Sequence, residues 1–317
     1  MTHSPLVSLP SPCYNVAKFL PQCIDSIIAQ TYRNLQIVLI DDGSKDDTWR
    51  VIQDYAGKDN RIEFYHQENQ GVATTRNHLL EKVKGDYVLF VDSDDWIEPD
   101  MVEFLVGKAL TNNIEMVVCG NVINDTPPAS EYNEELWSQD KVVKEFLRHV
   151  SINGSLWNKL TKVSLLHNVK FHCGISYGED ALFCWELLQN VESILITNKQ
   201  LYHYRMNESS LSHASWSPSK MGSGHVVWEE LEKNAKELWP QYADVAKSTF
   251  AIADMWQLYY AARSKYPKDK FIQLYQNHVR ECLSLIRKAD TITTNKKIFA
   301  EIVARSYTLG GIIARLM

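Results

Sequence analysis

The sequence has 317 residues, of which 33 are lysine or arginine and 39 are aspartate or glutamate, so the formal net charge is −6. Apolar residues make up 45% and charged residues 23%, which is typical of a globular protein and excludes disordered, collagen-like and disulfide-stapled classes. At about 150 residues per domain, the length corresponds to two domains or one large one. The acidic balance gives no general electrostatic reason to bind nucleic acid, so we expect no such partner.

The sequence predicts neither a leader nor a membrane span. The first ten residues lack a basic segment followed by a long apolar one, and no run of about 18 apolar residues occurs in the chain. The six cysteines form no CxxC pair and have no histidine at metal-ligand spacing, which argues against a zinc site or a disulfide framework. We therefore expect a cytoplasmic protein.

Strand and helix signals alternate over the first 120 residues. Apolar residues at helical spacing predict a helix at 19–28, with Pro21 in its first turn. The other predicted elements are strands at 35–40, 61–65, 87–91 and 116–119, and helices at about 46–57, at 72–83 and after Pro99. Strands separated by helices predict an α/β fold with a mostly parallel, Rossmann-like sheet flanked by helices.

Helical patterns predominate after a predicted loop at 125–133. They cover 142–150, 156–166 and a stretch from 178 onward, and a polar loop is predicted at 207–219. Nearly everything after Met221 has a helical pattern. We predict a first domain and a helical C-terminal subdomain, with the boundaries 1–215 (halves 1–120 and 121–215) and 216–317.

Three carboxylates follow the predicted strand at 87–91. Asp92, Asp94 and Asp95 gather like charges after an apolar strand, which is unfavourable unless a cation compensates them. Carboxylates one residue apart on a turning loop can bind one hard cation, Mg²⁺ or Mn²⁺, and leave coordination positions for phosphate oxygens. The alternative is a solvated loop whose aspartates cap the next helix.

A second acidic pair, Asp41 and Asp42, ends the strand at 35–40. One of these carboxylates could accept hydrogen bonds from a nucleobase imide or a ribose hydroxyl, as acidic residues do at βα turns of dinucleotide sites. The alternative is a turn in which Gly43 has a positive φ and Ser44 or Asp46 caps the next helix. Taken alone, the pattern favours the turn.

Arg76 lies near the start of the helix predicted at 72–83. A helix N-terminus and a guanidinium together are a suitable place for phosphate charge. A surface ion pair of Arg76 with Glu81 or Asp86 is the alternative. By itself this arginine indicates little.

The sequence resembles the family 2 glycosyltransferases in the order and spacing of several segments. Over residues 5–120 these are Val7-Ser8, Pro12-Cys-Tyr-Asn-Val16, Cys23-Ile-Asp-Ser26, Gln30-Thr-Tyr32, Ile40-Asp-Asp-Gly-Ser44, Glu68-Asn-Gln-Gly71, Arg76-Asn77 and Phe90-Val-Asp-Ser-Asp-Asp95. Later and sparser matches, similar to motifs of bacterial members, are Trp157-Asn-Lys-Leu160, Gly178-Glu-Asp180 and Tyr202-His-Tyr-Arg205. Beyond about residue 215 the resemblance ends.

The resemblance implies a GT-A fold, a nucleotide-diphosphate-sugar donor, a divalent metal (Mn²⁺ or Mg²⁺) and inversion at the anomeric carbon. It assigns the nucleobase, expected to be uracil, to Asp42 or Asp41. Pro12, Tyr14 and Asn15 would line the same pocket.

The family's DxD motif corresponds to Asp92 and Asp94, with Ser93 between them at the donor. The resemblance makes Asp94 the direct metal ligand and Asp95 its support. Asp180 matches the position of the catalytic base, and a neighbouring carboxylate, Glu179, would raise its pKa in a partly dehydrated site. The alternative role for Asp180 is favourable interaction with a helix dipole.

Other residues are weaker candidates. Arg76, Arg205 and Lys159 could neutralise the diphosphate. His203 and His213 are possible extra metal or phosphate contacts, although a lone histidine is more often structural. The rings of Trp157 and Tyr177 could stack on a sugar, but aromatic residues at such spacing more often pack in a core.

One segment departs from the family pattern. Family members have a fully apolar first strand, whereas this sequence has Leu9-Pro-Ser-Pro12. Proline cannot donate to a sheet, so this strand is expected to be distorted or interrupted near Pro10.

The last helices have a basic amphipathic pattern. Apolar residues repeat at helical spacing after Ile298, and they are interleaved with Lys296, Lys297, Arg305 and Arg315. Such a segment could lie on an anionic membrane, but packing against the subdomain or a second copy of the chain is at least as plausible.

The sequence therefore predicts a metal-dependent inverting glycosyltransferase that acts on a hydroxyl of a polysaccharide or lipid-linked glycan. A nucleotidyltransferase is one alternative, but it would normally have a glycine-rich basic loop where this chain has Pro12-Cys-Tyr-Asn15. A non-catalytic scaffold that binds a nucleotide sugar is the other.

Overall fold

A computed structural model describes residues 4–175, 177–206 and 217–316, with only the backbone of 218–221. The chain divides into two compact units. Among the described residues, the first unit contains 4–142, 154–175 and 179–206, and the second contains 143–153, 177–178 and 217–316. The predicted loop at 207–219 lies mostly outside the described residues.

The first unit is built on a single sheet, for which the described residues supply nine strands. They are β1 (Val7–Cys13), β2 (Leu35–Asp41), β3 (Ile62–His66), β4 (Tyr87–Val88), β5 (Trp96–Ile97), β6 (Met116–Ile123), β7 (Glu134–Ser138), β8 (Lys159–Lys162) and β9 (Ser193–Tyr204). Their order is β3-β2-β1-β4-β8-β6-β9-β5, and β7 pairs with β9. The pairs among β3, β2, β1 and β4 and the pair β6–β9 are parallel, and the remaining pairs are antiparallel.

Helices flank this sheet and form the second unit. The helices, in chain order, are α1 (Leu20–Ile28), α2 (Thr48–Ala56), α3 (Val72–Lys82), α4 (Met101–Asn112), α5 (Gln139–Arg148), α6 (Glu179–Leu188), α7 (Pro218–Leu238), α8 (Ala243–Arg263), α9 (Lys270–Glu281), α10 (Leu283–Lys288), α11 (Thr294–Arg305) and α12 (Tyr307–Ala314). The α/β fold with flanking helices and C-terminal helices is confirmed.

Apolar periodicity explains the first layers. All seven residues of β2 are buried, as expected for a strand covered on both faces. Helix α1 buries Leu20, Cys23, Ile24 and Ile27 and has Pro21 in its first turn, as predicted.

The prediction that β1 is distorted or interrupted near Pro10 is wrong for its pairing with β2, although its pairing with β4 stops at Ser8. The strand pairs with β2 without a break from Val7 to Cys13. The carbonyl oxygens of Pro10 and Pro12 face the chain after β4, where they accept hydrogen bonds from Val91 N and Ser93 Oγ. Because neither proline can donate on that side, the neighbouring strand is shortened instead, and β4 ends at Val88 rather than at the predicted residue 91.

The prediction of a helical segment at 156–166 is also wrong. Residues Lys159–Lys162 form β8, which pairs antiparallel with β4 and β6, and only Val163–Leu166 form a 3₁₀ helix. Leu160 and Thr161 are buried in the middle of the sheet. Sheet pairing and burial on both faces outweigh the local helical pattern.

The second unit has an apolar core of its own. Its centre is α8, which buries Ala251, Met255, Leu258 and Ala262 against α9, α11 and α12. In the part of the chain that the structure describes, no helix is both long enough and apolar enough to cross a membrane.

Candidate active site

The candidate site lies in the first unit, where parallel strands end and helix α6 begins. The acidic loop Asp92–Asp95 follows β4, and Asp41 is the last residue of β2. Side chains beyond the carboxyl ends of parallel strands form the usual ligand crevice of such sheets.

Tyr202 on β9 holds the acidic loop. Its hydroxyl donates to Asp95 Oδ2 at 2.7 Å and accepts from Asp92 N at 3.1 Å. Asp95 Oδ1 accepts from Arg205 N at 2.7 Å. Burial, reinforced by the charges of Asp92 and Asp94, raises the pKa of Asp95. Both Asp95 oxygens have protein partners, so this residue supports the loop.

Arg205 holds the same loop from the other side. Its Nε donates to Asp94 O at 2.6 Å, and its guanidinium lies over the rings of Phe19 and Trp96, at 4.9 and 4.5 Å from their centroids. Asp94 itself is partly exposed. Burial, with the charge of Asp92, raises its pKa to about 6. The main chain of Asp94 is therefore held by Arg205, and its carboxylate lies where a cation would be favourable.

Arg76 joins the acidic loop to helix α6. Its guanidinium donates to Glu179 Oε1 at 2.5 Å and to Asp92 Oδ1 at 3.4 Å, and it lies 5.6 Å from the ring centroid of Phe171. Burial opposes the charge, but Asp92, Glu179 and Asp180 outweigh it and raise the pKa of Arg76. The buried Arg76 Nε has no hydrogen-bond partner among the described residues.

Asp180 is the second residue of α6. Its Oδ1 accepts from Ala181 N at 2.8 Å. Burial first, and then the charge of Glu179, raise its pKa to about 6, although Arg76 acts in the opposite direction. A carboxyl with this pKa is ionised at neutral pH and basic enough to accept a proton.

Gly154 lets the chain pass close to the start of α6. A Cβ atom at this position would lie 2.4 Å from Ala181 Cα. Cys184 Sγ, one turn further along α6, donates to Gly154 O at 3.1 Å. The position of Asp180 therefore depends on a residue without a side chain at position 154.

Lys159 lies near Asp180 and is fully engaged by the protein. Its Nζ donates to Ser155 O at 2.5 Å and to Asn158 Oδ1 at 2.9 Å. Burial lowers its pKa, and the charge of Asp180 opposes this effect. Lys159 is thus a buried cation whose ammonium is bonded to the segment before β8.

The Asp41 and Asp42 carboxylates are used inside the protein. Asp42 accepts from Gln67 Nε2, Gln70 N and Gly71 N at 2.7 to 3.0 Å, which anchors the loop before α3. Asp41 is fully buried and contacts His66 Nδ1 at 2.7 Å.

Gly43 has the positive φ expected of a turn, at 71°. The predicted positive φ of Gly43 in a turn after β2 is therefore confirmed.

Of the predicted pocket residues, Pro12 lies near the end of β1, and Tyr14 and Asn15 follow that strand in a loop beside this turn. Asn15 has a φ of 51°, its Oδ1 accepts from Lys45 N, and its own N donates to Ser44 Oγ at 2.9 Å. Tyr14 is 46% exposed. An exposed aromatic ring on a fixed loop is suited to contact a nucleobase.

His203 is buried. Its Nε2 contacts Glu98 Oε1 at 2.5 Å, its Nδ1 contacts Asn124 O at 2.9 Å, and its ring stacks on Trp96. Both ring nitrogens are therefore used within the protein.

The other weaker candidates are scattered. Trp157 stacks on Tyr202 and Tyr204, in the manner of a core residue. Tyr177 belongs to the second unit and His213 lies outside the described residues.

Two residues of the site were missed by sequence reasoning. Tyr202 was quoted in a motif but given no role, although its alternation with Tyr204 on a strand could have indicated a shared face with Trp157. His66 is half exposed and ends β3 next to Asp41. Its position at a strand end was the available signal.

The donor set fits a divalent cation only in part. Among the described residues, no three histidine, cysteine, aspartate or glutamate side chains are grouped to bind a metal ion. Asp92 and Asp94 offer carboxylate oxygens, the ligands that Mg²⁺ and Mn²⁺ prefer. A cation here would take its other ligands from diphosphate oxygens and water.

Residues 8–180 match the sequence profile of glycosyl transferase family 2. The chain belongs to this family. It is 35% identical over 214 residues to glycosyltransferase GlyA of Streptococcus pneumoniae, a match that covers 63% of this chain and 30% of that protein. It is 32% identical over 226 residues to the Bacillus subtilis glycosyltransferase EpsJ, which covers 68% of this chain and 65% of that protein. The matched segment thus spans less than two thirds of either relative.

Solved structures share the fold. Residues 1–349 of S. aureus TarS, in complex with UDP-GlcNAc, superpose with a TM-score of 0.72 at 19% identity, over 98% of this chain and 90% of that one. A Pyrobaculum calidifontis mannosyltransferase in complex with GDP-Man and Mn²⁺ gives 0.57 at 15% identity, over 99% and 88%. The fold of this chain is of the GT-A type.

Proposed function

We propose that this family member is a metal-dependent inverting glycosyltransferase with a nucleoside diphosphate sugar donor, of the UDP type, and a hydroxyl acceptor on a polysaccharide or lipid-linked glycan. The observation that supports it best is the buried bridge of Arg76 to Asp92 and Glu179. This bridge brings the acidic loop that suits a metal and diphosphate next to the carboxylate that suits a base. The TarS complex contains a UDP-sugar, which favours the same donor class here.

In the proposed reaction, the acceptor oxygen attacks the anomeric carbon and its proton passes to Asp180. The bond between that carbon and the diphosphate breaks, the diphosphate leaves with the electron pair, and a single displacement inverts the configuration. Two observations support this assignment: Asp180 lies at the start of α6, and a pKa of about 6 leaves it ionised at neutral pH. Glu179 and Arg76 act as positioning residues, because each is committed to the ion pair.

Asp92 and Asp94 are the proposed metal ligands, with Asp95 in support. A bound Mn²⁺ or Mg²⁺ would supply positive charge beside the leaving diphosphate. Tyr202 and Arg205 hold the two ligands in place before any donor arrives. Preorganised charge of this kind usually contributes most to transition-state stabilisation. His203 is left out of this set because both of its ring nitrogens are used.

The donor's nucleobase is proposed to bind at the strand ends, beside Tyr14 and Asn15. The Asp41 and Asp42 carboxylates shape this region through His66 and the loop before α3. We keep 1–215 as the proposed catalytic domain and 216–317 as a helical addition, and the cytoplasmic location stays a prediction.

The test is release of UDP from a panel of UDP-sugars with Mn²⁺, with and without EDTA. Native chain should release UDP from at least one sugar, and EDTA and Asp94→Ala should each reduce the rate at least about a hundredfold. Asp54→Ala is the matched control, since Asp54 is exposed on α2 and the site contacts described for Asp92, Asp94 and Asp180 do not involve it. Activity that persists in EDTA and in Asp94→Ala would refute the metal assignment. Absence of turnover with UDP-, GDP-, dTDP- and CDP-sugars would refute the transferase.

A further inference from the structure

Helix α12 exposes the large apolar residues Leu309 and Ile312, whereas Tyr307 in its first turn is buried and Ile313 packs against the core of the second unit. The buried side consists of Gly310, Gly311 and Ala314. The opposite side presents Leu309, Ile312 and Leu316, which are 48%, 47% and 82% exposed. A spacing of three residues places Leu309 and Ile312 on one face of the helix, and Leu316 follows just after the helix ends.

Close packing fixes this orientation. A Cβ atom on Gly310 would lie 2.8 Å from Val303 Cγ2, and one on Gly311 would lie 3.4 Å from Ala262 Cβ. The space beneath Gly310 and Gly311 therefore has no room for a bulky side chain at these two positions. Rotation of the helix to bury Leu309 and Ile312 would force them into this space, so the apolar face stays outward.

The surroundings of this face are basic. Residues 294–316 contain Lys296, Lys297, Arg305 and Arg315 and a single acid, Glu301. The Glu301 carboxylate already accepts from Arg305 and from Arg287 of α10. The Arg305 side chain is 63% exposed. Arg315 is also exposed, and its Nη1 donates to Ala262 O at 3.3 Å. An exposed apolar stripe in a segment with more basic than acidic residues fits a surface that is apolar inside and anionic at its rim.

We propose that α12 docks on a membrane containing anionic lipid, with Leu309, Ile312 and Leu316 among the acyl chains and Arg305 and Arg315 at the headgroups. A second copy of the chain is a poorer occupant. A two-fold contact through this face would bring together two segments that each have an excess of basic residues, and like charge opposes such a contact. The inference does not depend on the proposed function, because it uses only α11 and α12.

Cosedimentation with vesicles tests the proposal. The full 317-residue chain is mixed with vesicles of phosphatidylcholine alone and with vesicles that also contain phosphatidylglycerol. The variants are Leu309→Ser/Ile312→Ser for the apolar stripe and Arg305→Gln/Arg315→Gln for the charge. Leu110→Ser on α4 of the first unit is the matched control, since Leu110 is equally exposed at 53%. Thermal unfolding by circular dichroism confirms that each variant is folded.

Native chain and Leu110→Ser should bind the phosphatidylglycerol vesicles alike and bind phosphatidylcholine weakly. The partition coefficient of the serine variant should be lower by about tenfold or more, because the two apolar side chains that would enter the acyl region are removed. The glutamine variant should bind less and lose its sensitivity to salt. Absence of binding to the anionic vesicles, or binding unchanged in the serine variant, would overturn the proposal. So would a concentration-dependent dimer that only the serine variant abolishes.

Discussion

Arg76 and Glu179 are 103 positions apart in the sequence and form a buried ion pair with a distance of 2.5 Å. The same guanidinium reaches Asp92 at 3.4 Å. Helix α3, the acidic loop and the start of α6 therefore share one charged contact. The arrangement of the candidate site depends on it.

Replacement of Arg76 should lower the stability of the protein. Arg76→Met would leave the carboxylates of Glu179 and Asp92 without their buried partner, so the free energy of unfolding should fall by about 3–5 kcal/mol. Arg76→Lys should be intermediate, because an ammonium keeps the charge but cannot bridge two carboxylates with a planar fork. Urea denaturation measures both.

Arg50→Met is the control for this series. The Arg50 side chain is 72% exposed and contacts Asp47 only at 3.8 Å. Its loss should change the free energy of unfolding by less than about 0.5 kcal/mol. Equal effects of Arg50→Met and Arg76→Met would contradict the role given to the buried pair.

Gly154 should tolerate no side chain. Gly154→Ala would push the start of α6 away, since the new Cβ would lie 2.4 Å from Ala181 Cα, and the destabilisation should be about 1–3 kcal/mol. UDP release should fall with it, because Asp180 precedes Ala181. Gly107→Ala is the matched control on α4, where a Cβ meets nothing within 4 Å. That change should stabilise the helix by about 0.5–1 kcal/mol. A native rate in folded Gly154→Ala would show that Asp180 needs no such placement.

The second unit should lose stability as the pH rises. Asp254 is buried, and its two oxygens contact His225 Nδ1 at 2.9 Å and His278 Nδ1 at 2.7 Å. Burial opposes the charge of His278, but the hydrogen bond and charge of Asp254 outweigh it and raise its pKa to about 10. A raised folded-state pKa gives stability that is complete below the ordinary value of 6.5 and is lost as the pH rises through 10.

The free energy of unfolding should therefore decrease between pH 7 and pH 10. Asp254→Asn should remove this slope and lower the stability at pH 7 by about 3 kcal/mol, because His278 loses its partner. Denaturation of both proteins at several pH values measures the effect. A profile that is flat in the native chain would refute the charged state of His278.

The rate of sugar transfer should fall in acid. Asp180 must be ionised to accept a proton, and its pKa of about 6 places the loss of kcat/KM below that pH. Glu179→Gln removes the adjacent negative charge and should move the acid limb to lower pH. The measurement is kcat/KM against pH for both proteins. A limb that stays in place or moves upward would exclude Asp180 as the titrating base.

Local patterns predicted much of the fold, because strands and helices in the first 120 residues follow apolar periodicity. These local patterns gave wrong predictions where the pairing of strands in the sheet determined the structure of a segment. Pro10 shortened a neighbouring strand rather than its own, and Lys159–Lys162 joined the sheet against its local pattern. Sheet neighbours are set by distant residues, which one segment cannot reveal.

The sequence likewise indicated which residues belong to the candidate site, from their type and position. It did not indicate which partners they bond to. Carboxylates at strand ends were visible in the sequence. The hydrogen bonds of the Asp42 carboxylate to the loop before α3 could not be predicted, and neither could the ion pair of Arg76 with Glu179. Both depend on contacts between segments that are distant in the sequence. The alternation of Tyr202 with Tyr204 could indicate a shared face but not the hydrogen bond to Asp95, which lies 107 positions away.

The most direct test of the account compares Asp180→Asn with the native chain in two measurements on the same donor. Calorimetry with UDP and Mn²⁺ should give a dissociation constant within about threefold of the native value, since Asp180 is assigned to the acceptor side. UDP release in the presence of acceptor should fall by about 10²–10⁴-fold, the usual contribution of a general base. Native turnover in Asp180→Asn, or loss of UDP binding in a folded variant, would contradict the central claim.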